Sequence, residues 1–370
     1  MSRAREFADL AGSADAGGLT GRNMVKNGAM LVSQRGTSFT SSSSAYTLDR
    51  FQVFENFGAA FTITQSDTVP DNAQFTKSLK MDCTTAATPS GSNEEFKLVY
   101  RMEGYDFLPS GYGNSYAKNL TLSFWVRSNL TGTYRINFMS RSGTNRNIGA
   151  TYTISSANTW EKKEITFIPD TSVSPYQNHQ DAFRIEWYLA SSSDRTTGSM
   201  PTSWATMDNA TRATGLNVNM ASSTDNEWYI TGVQLEVGEQ ATPFEHRSFG
   251  DELQRCQRYY EKSYDYDTAT GTAAVYPGNI GLTVRGMDEE TSGQRYFTNT
   301  MRVEKRADPT NTFYDDAGNS GKVTTFDSGG TPTNNVSIGL VLTQPSMIGC
   351  GPGNSAIWGY AYFYESDAEL

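Results

Sequence analysis

Strict alternation of apolar and polar residues recurs in several short stretches of this chain and limits it to a β-rich fold. In residues 120–127 every second side chain is apolar, and 96–103, 134–141 and 183–189 show the same pattern. Because successive side chains of a strand point to opposite faces, each stretch is predicted to be a strand with one buried face. In the first stretch the apolar face consists of Leu120, Leu122, Phe124 and Val126, and the other face of Thr121, Ser123, Trp125 and Arg127.

The composition agrees with a mostly β fold. The chain has 370 residues, of which 12% are aromatic, and it contains 33 glycines. Aromatic residues fit a pleated sheet and glycines supply turns, while the length exceeds that of one hydrophobic core. Turn-rich segments between the strands are typical of antiparallel hairpins and Greek-key connections. We therefore expect two folded β units.

Charge and segment composition exclude several classes of protein. A net charge of -10 disfavours binding to a phosphate backbone. No run of eighteen apolar residues predicts a membrane span. Residues 1–22 contain no apolar core of a signal peptide, which predicts a protein that is not exported by that route. The widely spaced Cys83, Cys256 and Cys350 indicate no disulfide framework.

Four segments of the chain resemble parts of known jelly-roll carbohydrate-binding modules. These are Asn27-Gly-Ala-Met, the strand at 120–127, Trp160-Glu-Lys-Lys-Glu-Ile-Thr-Phe, and Tyr229-Ile-Thr-Gly-Val-Gln-Leu-Glu. The resemblance implies a jelly-roll β-sandwich that closes with the last of these strands. Many such modules place an aspartate near Thr231 or Gly232 to bind calcium. Because this aspartate is absent, no metal site and no cofactor are predicted. Asp49, Asp82 and the backbone around Asn27 are alternative ligands for a structural Ca²⁺.

The segment from Trp228 to Tyr264 also resembles a junction found in tail fibres of tailed bacteriophages. After it, Phe297-Thr-Asn-Thr-Met-Arg, Tyr314-Asp-Asp-Ala-Gly-Asn and the final Trp358-Gly-Tyr-Ala-Tyr-Phe-Tyr resemble the small β domain at fibre tips. The resemblance implies a homotrimeric tail protein of the virion, assembled in the host cytoplasm, that binds a glycan or protein of the host cell surface.

These observations divide the chain into four parts. The first is glycine-rich and polar, and is predicted to be an arm that docks to other virion tail proteins, with a disordered tail as the alternative. The parts are an arm at 1–22, a jelly-roll β-sandwich at 23–247, a linking helix at 248–264 and a C-terminal β-sandwich tip domain at 265–370.

The outward face of the sandwich is the predicted glycan site. Aromatic rings stack on sugar rings, while Arg, Asn and Glu form directional hydrogen bonds with hydroxyl groups. Packing against a neighbouring subunit or domain is the alternative use of this face. By strand parity the candidates are Trp125, Arg127, Arg135, Asn137, Glu186 and Tyr188, together with Arg101.

Two further sets of residues are predicted from the C-terminal half. Loops carry most binding residues, so Asp315, Asp316, Asn319 and Asn334 are candidates for receptor contact. A helix from Asp251 to about Lys262 is too short to be stable alone, and its apolar stripe is predicted to lie at a threefold axis, with packing on the sandwich as the alternative. The residues expected at the axis are Leu253, Cys256, Tyr260, Trp358, Tyr360 and Tyr362.

Motifs of catalysis are missing from the sequence. It contains no Gly-x-Ser-x-Gly elbow, phosphate-binding loop or His-Glu-x-x-His helix. We therefore predict a non-enzymatic tail-fibre-type protein that attaches to the host surface. The alternatives are a structural virion component, such as a capsid decoration or tail adaptor protein, and an enzyme acting on polysaccharide or the binding module of one.

Overall fold

The computed structural model describes residues 21–40, 44–71, 73–273, 279–283, 297–327, 330–352 and 359–370. The chain forms two compact units. Of the described residues, the first unit holds 21–33, Thr37–Glu252 and Leu370, and the second holds Gln34–Gly36 and Leu253–Glu369. The predicted arm at 1–22 lies outside the described residues except for its last two.

The first unit is built almost entirely of antiparallel strands. Its one described α-helix, α1 (Gly104–Phe107), is a single turn. The strands are β1 (Ser38–Thr40), β2 (Ala45–Tyr46), β3 (Phe51–Glu55), β4 (Ala60–Ser66), β5 (Ser78–Thr85), β6 (Glu95–Glu103), β7 (Leu120–Ser128), β8 (Gly132–Ser140), β9 (Arg146–Ile154), β10 (Glu161–Phe167), β11 (Asp181–Ser191), β12 (Ala205–Thr206) and β13 (Glu227–Val237).

These strands form two sheets that enclose one hydrophobic core. The first sheet has the order β1-β4-β5-β13-β7-β10, and the second β12-β9-β8-β11-β6-β3-β2. The apolar faces predicted from the alternation meet between them: Leu122 and Phe124 of β7 share the core with Ile136 of β8 and Trp187 of β11. The prediction of a mostly β, sandwich-type fold is confirmed.

A second helix, α2 (Phe249–Gln257), contains the boundary between the two units in the chain, and the second unit continues as a third sheet. The predicted helix was too long, because Tyr260–Lys262 pairs as a strand with residues 365–367 and gains ladder hydrogen bonds there. The third sheet has the order β14-β21-β18-β19-β20-β16, and β15 and β17 also pair with β21. Its strands are β14 (Tyr260–Lys262), β15 (Ile280–Thr283), β16 (Phe297–Thr300), β17 (Thr310–Tyr314), β18 (Lys322–Phe326), β19 (Pro332–Thr343), β20 (Met347–Pro352) and β21 (Gly359–Asp367).

Within the part of the chain that the structure describes, no helix has both the length and the apolar character needed to cross a membrane.

Candidate functional site

Apart from Arg101, which lies on β6, six glycan-binding residues were predicted, and four of them lie side by side on the second sheet. Asn137 of β8 is directly opposite Glu186 of β11, and Arg135 is opposite Tyr188. Their side chains point away from the sandwich core, as strand parity predicts. However, each is at most 1% exposed, so none of them is accessible to a ligand.

A segment that follows β11, residues 192–216, covers these four side chains. Arg212 forms an ion pair with Glu186 at 2.8 Å, and Arg195 forms one with Glu95 at 3.0 Å. The Nε of Arg135 donates to the carbonyl oxygen of Arg212 at 3.2 Å. The prediction of an open ligand face is therefore wrong for Arg135, Asn137, Glu186 and Tyr188, since charged side chains of the same chain occupy it.

Burial and ion pairing act in opposite directions on Glu186. Burial alone would disfavour its charged form, but Arg212 and Lys97 outweigh that effect and hold the pKa of its carboxyl well below its usual range. Lys97 lies 2.8 Å from Glu186 and 2.7 Å from Glu95. The cluster is thus an internal charge network that fastens the 192–216 segment to the sheet.

The other two predicted residues, Trp125 and Arg127, lie on β7 in the first sheet. They face the opposite side of the sandwich, so the six residues do not form one site. Arg127 donates to Glu227 at 2.9 Å and stacks over the ring of Tyr229, with its guanidinium carbon 4.8 Å from the ring centre. Tyr229 is only 5% exposed, so its ring is already covered by the protein.

The predicted receptor loop of the second unit is organised around a buried carboxylate. Asp315 is fully buried and accepts hydrogen bonds from the backbone N–H groups of Ala317, Asn319 and Asn335 at 3.0, 2.8 and 2.6 Å. Asp315 is therefore a structural residue and its receptor contact is contradicted. Of the other candidates, Asp316 is half-buried, and Asn319 and Asn334 are exposed; their receptor role stays a prediction.

Most residues expected at a threefold axis are buried within the single chain. Cys256 is fully buried, and Tyr260, Tyr360 and Tyr362 are 1–2% exposed. Tyr360 and Tyr362 belong to the core of the second unit. These four side chains are buried within their own chain, which corrects the expectation that they face symmetry mates. Leu253 is half-buried, and Trp358 lies outside the described residues.

The residues considered for calcium do not converge on a cation site. The Nδ2 of Asn27 donates to the carbonyl oxygens of Val32 and Asp49, at 2.8 and 2.9 Å. Asp82 instead lies beside Lys80, at 3.2 Å. Across the described ranges no group of three or more His, Cys, Asp or Glu residues could hold a metal ion. A structural Ca²⁺ stays a prediction without a described ligand set.

An open cavity, which we name the loop-end pocket, lies at one end of the sandwich. It has a volume of about 210 Å³ and lies between the connection from β6 to β7 and the loop that precedes β11. Its lining combines buried aromatic side chains with exposed aromatic and amide side chains. The lining residues are Gly104, Phe107, Leu108, Ser110, Gly111, Tyr112, Asn114, Tyr116, Pro175, Tyr176 and Gln177.

The base of the loop-end pocket is rigid because it is continuous with the aromatic core. Phe107 stacks on Phe183 with ring centres 4.1 Å apart, and Tyr112 packs edge-on against Phe107 and Trp204. Burial raises the pKa of Tyr112 far above its usual range, so its hydroxyl stays neutral. Gly104 permits the walls to approach, since a β-carbon there would lie 2.0 Å from the carbonyl oxygen of Tyr176.

The rim of the pocket presents surfaces that suit a sugar. Tyr116 is 67% exposed and its ring lies over Gly111, while Tyr176 is half-buried. Asn114 and Gln177 also line the pocket, where their side-chain amides donate to Gly111 O at 3.2 Å and to Ser174 Oγ at 2.9 Å. Flat aromatic faces combined with amide donors and acceptors are the groups that contact the apolar faces and hydroxyls of pyranose rings. The arrangement favours binding of a polar, ring-shaped ligand.

Sequence reasoning missed this pocket, although a signal for it exists. The connection Gly104-Tyr-Asp-Phe-Leu-Pro-Ser-Gly-Tyr-Gly-Asn-Ser-Tyr is long and rich in glycine and tyrosine. Loops of this length in a compact domain are often functional. What the sequence does not show is the second wall, which comes from residues 175–177.

Comparisons with known proteins give likenesses in fold only. No protein-family model matches the chain, and no curated protein matches its sequence. Among solved structures, a putative sugar binding protein from Bacteroides thetaiotaomicron has 11% sequence identity and a TM-score of 0.33. The likeness covers 58% of this chain and 99% of that one.

Two further structures are similar over the same share of this chain. The enzymatically active domain of tailspike protein 4 of bacteriophage CBA120 has 12% identity and a TM-score of 0.31, and the likeness covers 58% of this chain but only 21% of the tailspike chain. A family 11 carbohydrate-binding module of a cellulase from Clostridium thermocellum has 12% identity and a TM-score of 0.28, with 58% and 99% covered.

Proposed function

We propose that this chain is a bacteriophage tail-fibre-type virion protein whose sandwich binds a host-surface glycan in the loop-end pocket, without chemical turnover. The observation that supports binding is the exposed ring of Tyr116 in a pocket that is also lined by the buried rings of Phe107 and Tyr112 and by Asn114 and Gln177. Such a pocket binds one or two sugar units weakly. Repetition of the site in an oligomer would raise the avidity for a cell surface.

The virion role is supported by the junction from Trp228 to Tyr264 and by the closing strand motif, which resemble those of phage fibres. The pocket itself supports a binding protein over a catalyst, because neither a carboxylate, a histidine nor a cysteine is among its described lining residues.

A glycan array and a host-cell adsorption assay test the proposal with the same set of variants. Tyr116→Ala removes the exposed ring and is expected to weaken glycan and cell binding about tenfold, which corresponds to about 1.4 kcal/mol. Tyr116→Phe keeps the ring and should retain most of the binding. Lys162→Ala, on β10 with its side chain 38% exposed, is the control and should change nothing.

Three results would contradict the proposal. Equal binding by wild type and Tyr116→Ala would place recognition outside the loop-end pocket. Failure of the wild-type protein to bind any glycan and to compete with phage adsorption would favour a structural virion component. Release of reducing sugar from host polysaccharide would instead reveal an enzyme.

A further inference from the structure

Three arginine side chains converge on one carboxylate at an uncovered end of the second sheet. Arg184 of β11 is directly opposite Arg101 of β6, and Arg141 follows the last residue of β8. All three donate to the same oxygen, Oδ2 of Asp181: Arg184 Nε at 2.7 Å, Arg101 Nη1 at 3.2 Å, and Arg141 through Nη1. We name Arg101, Arg141 and Arg184 the arginine cluster.

Charge is not balanced within this arginine cluster. Three guanidinium groups carry three positive charges, whereas Asp181 supplies one negative charge. The only other acceptor that the described structure shows for these side chains is neutral, since Arg101 Nε donates to Gln52 Oε1 at 3.0 Å. Burial, and to a smaller extent the nearby guanidinium of Arg184, lower the pKa of Arg101 from its usual value.

Donor groups in the arginine cluster outnumber the acceptors that the protein provides. Each guanidinium has five N–H donors in a planar fork, so three of them offer about fifteen. The described acceptors are one oxygen of Asp181 and one of Gln52. Arg141 Nε is buried and forms no hydrogen bond within the described structure, so an anion has to be reached by the partly exposed ends of these side chains. Forked donors of this kind bind carboxylate, sulfate and phosphate groups in two-point contacts.

Solvent reaches the arginine cluster, in contrast to the rest of this face. The 192–216 segment buries the sheet around Glu186, two residues farther along β11 than Arg184. The side chains of Arg101, Arg141 and Arg184 are 19%, 30% and 17% exposed. An anion can therefore contact the cluster without displacing the protein's own cover.

The arginine cluster also borders the loop-end pocket. The backbone N–H of Tyr176, which lines the pocket, donates to the carbonyl oxygen of Arg141 at 2.9 Å. On the other wall, the N–H of Gly104 donates to the carbonyl oxygen of Gln180, the residue before Asp181, at 3.2 Å. One short stretch of chain, residues 176–181, thus separates an aromatic sugar-type pocket from a cationic cluster.

We propose that Arg101, Arg141 and Arg184 bind the oxyanion of an acidic sugar, so that the glycan recognised by this protein carries carboxylate, sulfate or phosphate groups. This inference rests on the proposed function and narrows its ligand class. In a protein with a net charge of -10, such a local surplus of positive charge selects an anionic ligand against the general repulsion.

The test uses the full chain on an array that holds neutral glycans and matched uronate, uronate methyl ester, sulfated and phosphorylated glycans. The key variant is Arg141→Gln, because this side chain is the most exposed of the three and Asp181 keeps two other partners. Arg141→Lys restores the charge without the planar fork. Lys162→Gln removes one exposed positive charge from the first sheet and is the control. Melting curves verify that all variants are folded.

We expect wild type to prefer one acidic class at least tenfold over its neutral counterpart. Arg141→Gln should reduce that binding at least tenfold, Arg141→Lys should restore part of it, and Lys162→Gln should leave it unchanged. Comparison of the uronate, sulfated and phosphorylated arms identifies the anion, and added salt should weaken binding because the cluster is partly exposed.

Three results would overturn the inference. The wild type could prefer neutral glycans, or it could bind uronate and its methyl ester equally and show no selectivity for sulfate or phosphate. Binding of acidic glycans could also survive the Arg141→Gln substitution. Those outcomes leave the proposed function standing, because Tyr116→Ala should still weaken the glycan binding that is observed about tenfold. Absence of binding to every glycan would overturn both.

Discussion

A β-carbon on Gly28 would lie 2.0 Å from the carbonyl oxygen of Val233, and the N–H of Val233 donates to the carbonyl oxygen of Gly28 at 2.9 Å. The Asn27-Gly28 turn and the closing strand β13, two separate motifs in the sequence, therefore meet as one piece of structure. Asn23 strengthens the contact, since its Nδ2 donates to the same Val233 oxygen at 3.2 Å. The first motif is thus required to close the sandwich and has no need of a ligand.

Gly28→Ala is expected to destabilise the first unit by about 1–3 kcal/mol, because the added β-carbon meets the carbonyl oxygen of Val233, which belongs to backbone that hydrogen bonds hold in place. Chemical denaturation measures the change in the free energy of unfolding. Gly143→Ala is the matched control, since a β-carbon there meets no atom within 4 Å. Equal stability of the two variants would show that the Gly28 turn can shift.

Acid should release the 192–216 segment through Glu186. In the unfolded chain the carboxyl has its ordinary pKa of 4.5, and in the folded protein its pKa is lower. The unfolded state therefore binds more protons at pH values between the two. The stability that Glu186 contributes is present above pH 4.5 and is lost as the pH falls through the folded pKa.

Urea denaturation between pH 7 and pH 3 measures this effect. Glu186→Gln should lower the free energy of unfolding at pH 7 by about 3–5 kcal/mol, because buried Arg212 loses its paired carboxylate and Lys97 keeps only Glu95, and it should flatten the dependence on pH. Glu164→Gln, whose side chain is 49% exposed, should change stability by no more than about 0.5 kcal/mol. An unaltered pH profile in Glu186→Gln would exclude this residue as the source.

The second unit depends on a fully buried ion pair between Lys305 and Glu261, 2.7 Å apart with both side chains 0% exposed. Lys305→Met should lower the free energy of unfolding by about 3–5 kcal/mol, because it leaves the buried negative charge of Glu261 without its cationic partner. Calorimetry of the second unfolding transition measures the loss. Lys322 is half-buried, and its Nζ donates to Ser337 Oγ at 3.2 Å. The control Lys322→Met should therefore stay within about 0.5 kcal/mol of wild type.

Asp315→Asn should destabilise the loop that follows β17 by about 1–3 kcal/mol, since the amide group presents a donor to backbone N–H groups that need acceptors. Faster hydrogen exchange at Ala317 and Asn319 would report the opening. Asp308→Asn, at an exposed position, should leave exchange in that loop unchanged. Normal protection in Asp315→Asn would contradict the structural role assigned to this carboxylate.

Secondary structure was predictable to different degrees along the chain. Strands such as β7 and β11 follow from alternation alone, because the period of two is local. The end of α2 at Gln257 was not predictable, since Tyr260–Lys262 becomes a strand only through pairing with residues distant in sequence. The loop-end pocket was hidden for the same reason, as its walls are about sixty residues apart in the chain.

The sequence by itself determined which side chains face the core and which face away from it: Arg135, Asn137, Glu186 and Tyr188 do point outward from the sandwich. Only the tertiary structure decided that those four are covered while Arg101, Arg141 and Arg184 on the same face are not. Side-chain direction is fixed by the geometry of a single strand. Exposure depends on where the 192–216 segment packs, and that is set by its ion pairs to Glu95 and Glu186.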